Sequence, residues 1–201
     1  MSVFASPEKI KAHVRQAYTR LAQAGTANPG RAPIACGENL ARALGYDTAT
    51  LPIPREAWEL FAGCGNPFEC VNPEPGWTVV DLGCGVGVDC QVAAGCLDSE
   101  GSVIGIDITG EMLRLARMYA PAVRKDRCHL AAADGEHLPF RAETVHLLIA
   151  NGSFNTMPRK EQALGEMYRV LKPGGRLVVA DLVRVAETEP MGEDYYEDAW
   201  A

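Results

Sequence analysis

The segment Asp81-Leu82-Gly83-Cys84-Gly85-Val86-Gly87 is the part of this 201-residue chain whose residue types and spacing could most readily do chemistry. It falls where an apolar run, Trp77-Thr78-Val79-Val80-Asp81, gives way to a helical pattern. Glycines there allow a tight turn and, lacking a Cβ, let backbone N–H groups approach an anion. The helix that follows aims its positive end at the same place. A G-x-G pattern alone is weak, since any tight strand-to-helix turn can use one. Its position at the carboxyl end of a strand, where open α/β sheets bind ligands, supports it.

Asp107 closes a second apolar run, Val103-Ile104-Gly105-Ile106-Asp107, twenty residues past Gly87. A carboxylate there can accept hydrogen bonds from both hydroxyls of an adenosine ribose. A dinucleotide site wants a further glycine at position 88, where Val88 stands. The G-x-G-x-G form favours S-adenosylmethionine, whose carboxylate is the anion, over NAD and its pyrophosphate. Cofactor contacts are therefore expected from Asp81, Gly83, Cys84, Gly85, Gly87, Asp107 and its neighbour Ile108. Asp134, with Gly135 beside it, has two readings: a partner for the adenine amine, or a turn residue.

These residues need a scaffold, and the pattern supplies one. Ser6-Pro7-Glu8 starts a helix with Ile10, Val14, Ala17 and Leu21 on one face, closed by Gly25. Shorter helices follow over 38–44 and 55–61. From residue 77 strands alternate with helices: strands at 77–81, 103–107, 128–131, 145–150 and 176–181, helices at 89–97 and 111–119. Thr109 is placed to cap the latter. A further helix carries Leu164, Met167, Tyr168 and Leu171 on one face and ends at Lys172-Pro173-Gly174-Gly175. Such alternation predicts an α/β fold: a doubly wound, mostly parallel, Rossmann-like sheet of about five strands with helices on both faces. Residues 1–70 read as an N-terminal helical cap on the substrate side, 71–184 as the cofactor domain, and 185–201 as an acidic tail.

The net charge of -7 argues against nucleic acid as a partner, because phosphate binding wants a basic face. Much of that charge sits in Glu187, Glu189, Glu193, Asp194, Glu197 and Asp198, a solvated segment by composition. No apolar run approaches the roughly 20 residues a bilayer requires, and Met1–Arg15 lacks the apolar stretch of a signal peptide. Seven cysteines, an odd number, do not read as a disulfide framework. The expectation is a cytoplasmic protein with reduced thiols. Cys84 reads as a small residue in the loop, and Cys90 and Cys96 as helix positions facing the sheet. With no C-x-x-C pair a structural zinc site is not expected, and His13, His129, His137 and His146 are scattered.

The stretch from Val79 to Asp181 resembles the class I S-adenosylmethionine-dependent methyltransferases. Within that family the chain looks most like arsenite methyltransferases. The resemblance rests on Ala62-Gly63-Cys64-Gly65-Asn66-Pro67, the Asp89-Cys90 ending of the glycine loop, Gly105-Ile106-Asp107-Ile108-Thr109, Glu136-His137-Leu138-Pro139 and Tyr168-Arg169-Val170-Leu171. It implies S-adenosylmethionine as cofactor and trivalent arsenic, or another small acceptor, as substrate. Cys64 matches an arsenic-ligand cysteine of the family, a soft ligand for a soft centre. Cys36 matches the cysteine that can pair with it during redox cycling, and Asn151 the asparagine at the end of the fourth strand. Two departures stand out. The family's Asn-Cys pair is here Asn151-Gly152, and a later ligand beyond a tryptophan is not in this sequence, which stops at Trp200-Ala201. The resemblance also implies further strands beside the fifth, so an exposed sheet edge is expected that a second copy could cover. A small organic acceptor, or binding of cofactor or arsenic without turnover, are the alternative readings.

Overall fold

The computed structural model describes residues 6–25, 35–98, 100–120 and 127–183; the acidic tail lies outside them. Five parallel strands form one sheet: β1 (Thr78–Leu82), β2 (Ser102–Asp107), β3 (Cys128–Ala132), β4 (Val145–Asn151) and β5 (Leu171–Ala180). Their order is β3-β2-β1-β4-β5. The order reverses between β1 and β4, which opens a crevice at the carboxyl ends of those two strands.

The central strands are apolar throughout. Val79, Val80, Leu147, Leu148 and Ile149 have no exposed surface, as expected of strands covered on both faces. Each such side chain contributes about 1.5–3 kcal/mol by leaving water. One face carries α4 (Val88–Cys96) and α5 (Gly110–Tyr119); Met167 and Val170 of α6 (Lys160–Val170) pack with Val80 and Leu148 on the other. The N-terminal region is helical, with α1 (Pro7–Gly25), α2 (Glu38–Ala43) and α3 (Arg55–Trp58). Tyr46, Trp58 and Phe61 pack edge to face there and join Val88 and Val92 of α4 and Met112 and Leu115 of α5, so the cap shares a core with the helices on that face.

Several local expectations need correction. On α6 the buried face is Ala163, Met167 and Val170, whereas Leu164 and Tyr168 are exposed. The helix stops at Val170, and Leu171–Gly175 already belongs to β5, with a shift of register against β4. Helix α3 is a single turn, because Glu59–Phe61 turns away from it. Thr109 stands at the N-cap of α5 but gives no side-chain cap bond; its amide donates to Asp107 instead. Cys96 faces outward, unlike Cys90. Strand β5 is an edge of the sheet with Leu177 and Val179 partly exposed, and Leu182 and Val183 beyond it are more so.

Candidate functional site

A cavity opens at the crevice, lined by the ends of β1, β2 and β4, the loop after β3 and one face of α1. The loop between β1 and α4 is the tightest part of its wall. The amides of Gly83 and Cys84 both donate to the Ile106 carbonyl, at 2.7 and 3.0 Å, tying the loop to β2. Gly83 has a φ of 77°, and a Cβ there would run into the Ser153 side chain. Ser153 is itself fixed by donating to the Leu82 carbonyl at 2.5 Å. No other residue type fits at 83.

Asp107 sits where the sequence places it. Its Oδ2 accepts from the Gly85 amide at 2.9 Å and its Oδ1 from the Thr109 amide at 2.7 Å. Burial pushes the carboxyl above its ordinary value, although those amides favour its charge. The Thr109 side chain and the Ile108 amide favour its charge too, so a pair of vicinal hydroxyls would share this acceptor with the chain's own donors. Ile108 lines the same wall. At Gly135 a Cβ would fall 2.6 Å from Met157 Cε, the end of a flexible side chain that would have to shift.

Asp134 lines the cavity, but both its oxygens are engaged. Oδ1 accepts from the Glu136 amide at 3.0 Å and Oδ2 from Lys11 Nζ of α1 at 2.6 Å. Lys11 also bonds Glu136, which is fully buried and accepts from the Arg159 amide at 2.8 Å. Helix α1 is thus latched over the cavity, and Val14 and Tyr18 of the same helix line it. Lys11, Val14 and Tyr18 follow one another at helical spacing, which is the sequence signal for this face, and only Val14 of the three lies in the apolar stripe Ile10, Val14, Ala17 and Leu21. Burial works against the charges of Asp134 and Glu136, yet Lys11 and the amides outweigh it and hold both below their ordinary values of 3.8 and 4.5. Depressed carboxyl values give stability that is present above the unfolded values and lost as pH falls through the folded ones. Melting temperatures measured from pH 6 to pH 3 are therefore expected to drop more steeply below about pH 4 in the wild type than in Lys11→Met. Equal slopes would show that the latch adds nothing.

Asp81 and Asp89 form the floor. Asp81 is 2% exposed and Asp89 6%. Burial, then the charge of Asp89, drives the Asp81 carboxyl well up. Burial lifts Asp89 to about 6, against the pull of Tyr46 and Asn151. The Tyr46 hydroxyl donates to Asp89 at 2.5 Å. Sequence reasoning assigned no role to Tyr46 or Asp89, because a buried polar pair from distant segments leaves no periodic trace.

Asn151 binds this floor to the Gly63-Cys64-Gly65 loop. Its Oδ1 accepts from the amides of Cys64 and Gly65 at 2.8 and 3.1 Å. Its Nδ2 donates to Asp89 Oδ2 and the Gly65 carbonyl, both at 2.9 Å, and lies 3.2 Å from the Tyr46 hydroxyl. Gly63 leaves room for it, since a Cβ there would fall 2.5 Å from Asn151 Nδ2.

Cys64 is half-buried at the rim, next to the cavity-lining Gly63 and Gly152 but not itself on the wall. Its Sγ is 3.9 Å from Asp181 Oδ1, and burial, then that carboxylate, pushes the thiol up. Asp181, at the end of β5, is a neighbour that the sequence did not flag. A Cβ at position 152 would lie 3.2 Å from Cys64 Sγ, so the pair expected from the resemblance would bring its second thiol there. Cys36 packs against the cap core with Glu59 as its charged neighbour, the Gly37 amide beside it donates to the Phe61 carbonyl at 2.9 Å, and Cys36 and Cys64 are both free thiols. Among the described residues no group of three or more His, Cys, Asp or Glu could hold a metal ion, and no helix is long and apolar enough to cross a membrane.

S-adenosylmethionine fits these residues. The glycine loop gives a cradle that a Cβ would fill, Asp107 suits the ribose, and the two floor carboxyls suit a cationic ligand. Comparison with known proteins agrees. Residues 73–199 match the family model described as "Methyltransferase domain". The arsenite methyltransferase of Halobacterium salinarum is 32% identical over 96% of this chain and 51% of its own length. The demethylmenaquinone methyltransferase of Lactiplantibacillus plantarum is 42% identical over 50% of this chain and 43% of its own. The crystal structure of an arsenic (III) S-adenosylmethionine methyltransferase from Chlamydomonas reinhardtii superposes with a TM-score of 0.55 at 35% identity, covering 63% of this chain and 44% of that one. The chain thus spans about half the length of these relatives, or somewhat less. Strand order, the glycine loop at the crevice and the family match converge on one assignment: the chain belongs to the class I S-adenosylmethionine-dependent methyltransferases.

Proposed function

We propose that this chain catalyses methyl transfer from S-adenosylmethionine through an acceptor site of arsenite type, with Cys64 as its thiol. The observation that supports this most is the Asn151 clamp, which ties the Cys64 loop to the carboxyl edge of the sheet beside the cofactor cavity. The likeness to arsenite methyltransferases over 96% of the chain points the same way.

When bound, S-adenosylmethionine supplies an electrophilic methyl group on a sulfonium. Asp107 and the glycine loop would hold the adenosine part, and the Asp81 and Asp89 carboxyls would offer acceptors to the cationic part. Helix α1, latched by Lys11, covers the cavity and excludes water. Cys64 binds the metalloid. An As–S bond forms, an As–O bond breaks, and the thiol proton leaves with the hydroxide as water. The arsenic lone pair carries no proton, so no general base is required of the chain.

Gly152 favours a second reading. With glycine there, the rim lacks the second thiol of the arsenite type, and Asp181 offers a carboxylate beside Cys64 for a small organic acceptor. Incubation with S-adenosylmethionine, arsenite and a thiol reductant distinguishes the two. Methylated arsenic and S-adenosylhomocysteine are expected together, reduced about tenfold or more in Cys64→Ser, since removing a ligand bond costs more than 1.4 kcal/mol. S-adenosylhomocysteine formed only with an organic hydroxyl or quinol acceptor, indifferent to Cys64→Ser, would establish the second reading. No S-adenosylhomocysteine with either acceptor would overturn both.

A further inference from the structure

At the rim, Cys64 and Asp181 are held by separate parts of the fold and meet side chain to side chain. The Cys64 amide donates to Asn151 Oδ1 at 2.8 Å, which fixes its loop to β4. Asp181 follows β5, and both its oxygens accept backbone amides: Oδ1 from Leu182 and Oδ2 from Asn155, each at 2.8 Å. Asn155 Nδ2 also donates to the Leu182 carbonyl at 2.5 Å, so the turn that carries the carboxylate is braced on two sides. The Gly152 amide joins the ends of β4 and β5 by donating to the Ala180 carbonyl at 2.7 Å. Gly65 brings the cysteine loop against the same strand end, since a Cβ there would fall 2.9 Å from Ala180 Cβ. Between these anchors the Cys64 thiol faces Asp181 Oδ1 at 3.9 Å, as donor to acceptor.

That contact bears on how a metalloid is held. Position 152 is glycine and offers no thiol beside Cys64 Sγ, so arsenic on Cys64 has one bond to the protein and can turn about it. A methyl acceptor gains rate from being held in one orientation. Arsenic takes the place of the thiol proton, and that proton is what points at Asp181 in the resting chain.

We propose that Asp181 is the second point of attachment for the acceptor: it accepts a hydrogen bond from a hydroxyl that trivalent arsenic keeps once it is bound to Cys64. This rests on the arsenite-type reading above and names the form of arsenic that the site takes. When arsenous acid meets Cys64, the S–As bond forms, one As–O bond breaks, and the thiol proton leaves with that hydroxide as water. Two hydroxyls stay on arsenic. One of them donates to Oδ1, the acceptor that the thiol proton has vacated. A hydrogen bond to a carboxylate is roughly twice as strong as a neutral one, and this one stops rotation about the S–As bond.

The substrate class follows. The acceptor needs one hydroxyl to lose to Cys64 and a second to give Asp181. Arsenous and methylarsonous acids have both. Dimethylarsinous acid has a single hydroxyl, which leaves when the S–As bond forms, so nothing remains for Asp181 to hold.

The test uses the full chain with S-adenosylmethionine and a phosphine reductant, which leaves the hydroxyls on arsenic. Arsenite, methylarsonous acid and dimethylarsinous acid are the acceptors. The wild type is expected to methylate the first two, with kcat/KM for dimethylarsinous acid lower by about tenfold or more. Asp181→Asn is expected to raise KM for arsenite about tenfold and to abolish the preference for methylarsonous over dimethylarsinous acid, while KM for S-adenosylmethionine stays within about twofold. A thermal melt separates a lost hydrogen bond from a lost fold, and the wild-type preference decides the matter if the variant does not fold. Methylated arsenic that is absent from the wild type, or indifferent to Cys64→Ser, overturns the arsenite reading and this inference with it. If Cys64→Ser loses activity but folded Asp181→Asn keeps the wild-type KM for arsenite, the role of Asp181 alone is overturned. Equal use of methylarsonous and dimethylarsinous acids by the wild type does the same.

Discussion

Asp107→Ala is expected to weaken S-adenosylmethionine binding by about a hundredfold or more while the chain still folds. Two hydroxyl hydrogen bonds to a charged acceptor are worth about 1.5–3 kcal/mol each, and every 1.4 kcal/mol is a factor of about ten. The carboxylate also braces the loop through the Gly85 amide at 2.9 Å, so alanine removes a ligand contact and a loop contact together. Folding is expected to survive because the carboxyl is already raised by burial; its removal takes a costly buried charge out of the sheet edge. Asp107→Asn separates the effects. It keeps an acceptor for one amide and loses the charge, so its affinity is expected between those of wild type and alanine. Calorimetry with a thermal melt on each variant checks this. Alanine affinity equal to wild type, in a chain that melts normally, would remove Asp107 from the cofactor site.

The order in which site features became legible follows the range of the interactions that make them. The glycine loop and Asp107 were readable because a strand, a turn and a helix start lie within one short stretch, and each leaves a local composition. The central strands were readable for the same reason: the runs in β1 and β4 are buried almost throughout, whereas β3 and β5 at the edges carry no fully buried residue. The α6 face was misread because Leu164 and Tyr168 fit helical spacing with Met167, and periodicity cannot tell a stripe that meets the sheet from one that meets solvent. Asp134 had two local readings, and the structure engages it through Lys11, 123 residues away in sequence. Tyr46, Asp89, Asn151 and Cys64 come from four separate segments and meet only when the sheet is assembled. Nothing in the spacing of any one of them announces that network.

Asn151→Ala tests that network, and its expected effect on stability is the largest of any side-chain truncation at the site. The amide accepts from the Cys64 and Gly65 amides and donates to Asp89 and the Gly65 carbonyl. Alanine leaves two backbone donors and a buried carboxyl short of partners, and unsatisfied buried groups cost about 1–3 kcal/mol each. A loss of about 3 kcal/mol lowers the melting temperature of a domain this size by about 6–12 °C. The Cys64 loop, no longer tied to β4, is expected to wander, so methyl transfer falls by about a hundredfold, as a displacement of about 1 Å at a reacting centre can cause. S-adenosylmethionine affinity is expected to change far less, because Asp107 and Gly83 keep their own bonds. Asn151→Asp sharpens the reading: it retains an acceptor for the two amides but adds a third acid to Asp81 and Asp89, the latter pushed up by burial to about 6. Its melting temperature is expected to fall between pH 5 and pH 8 as this cluster loses its protons. A positioning residue gives this pattern of lowered turnover, preserved cofactor affinity and pH-dependent stability. If Asn151→Ala lowered the melting temperature but left turnover per folded molecule unchanged, the clamp would be structural alone and Cys64 would not depend on it.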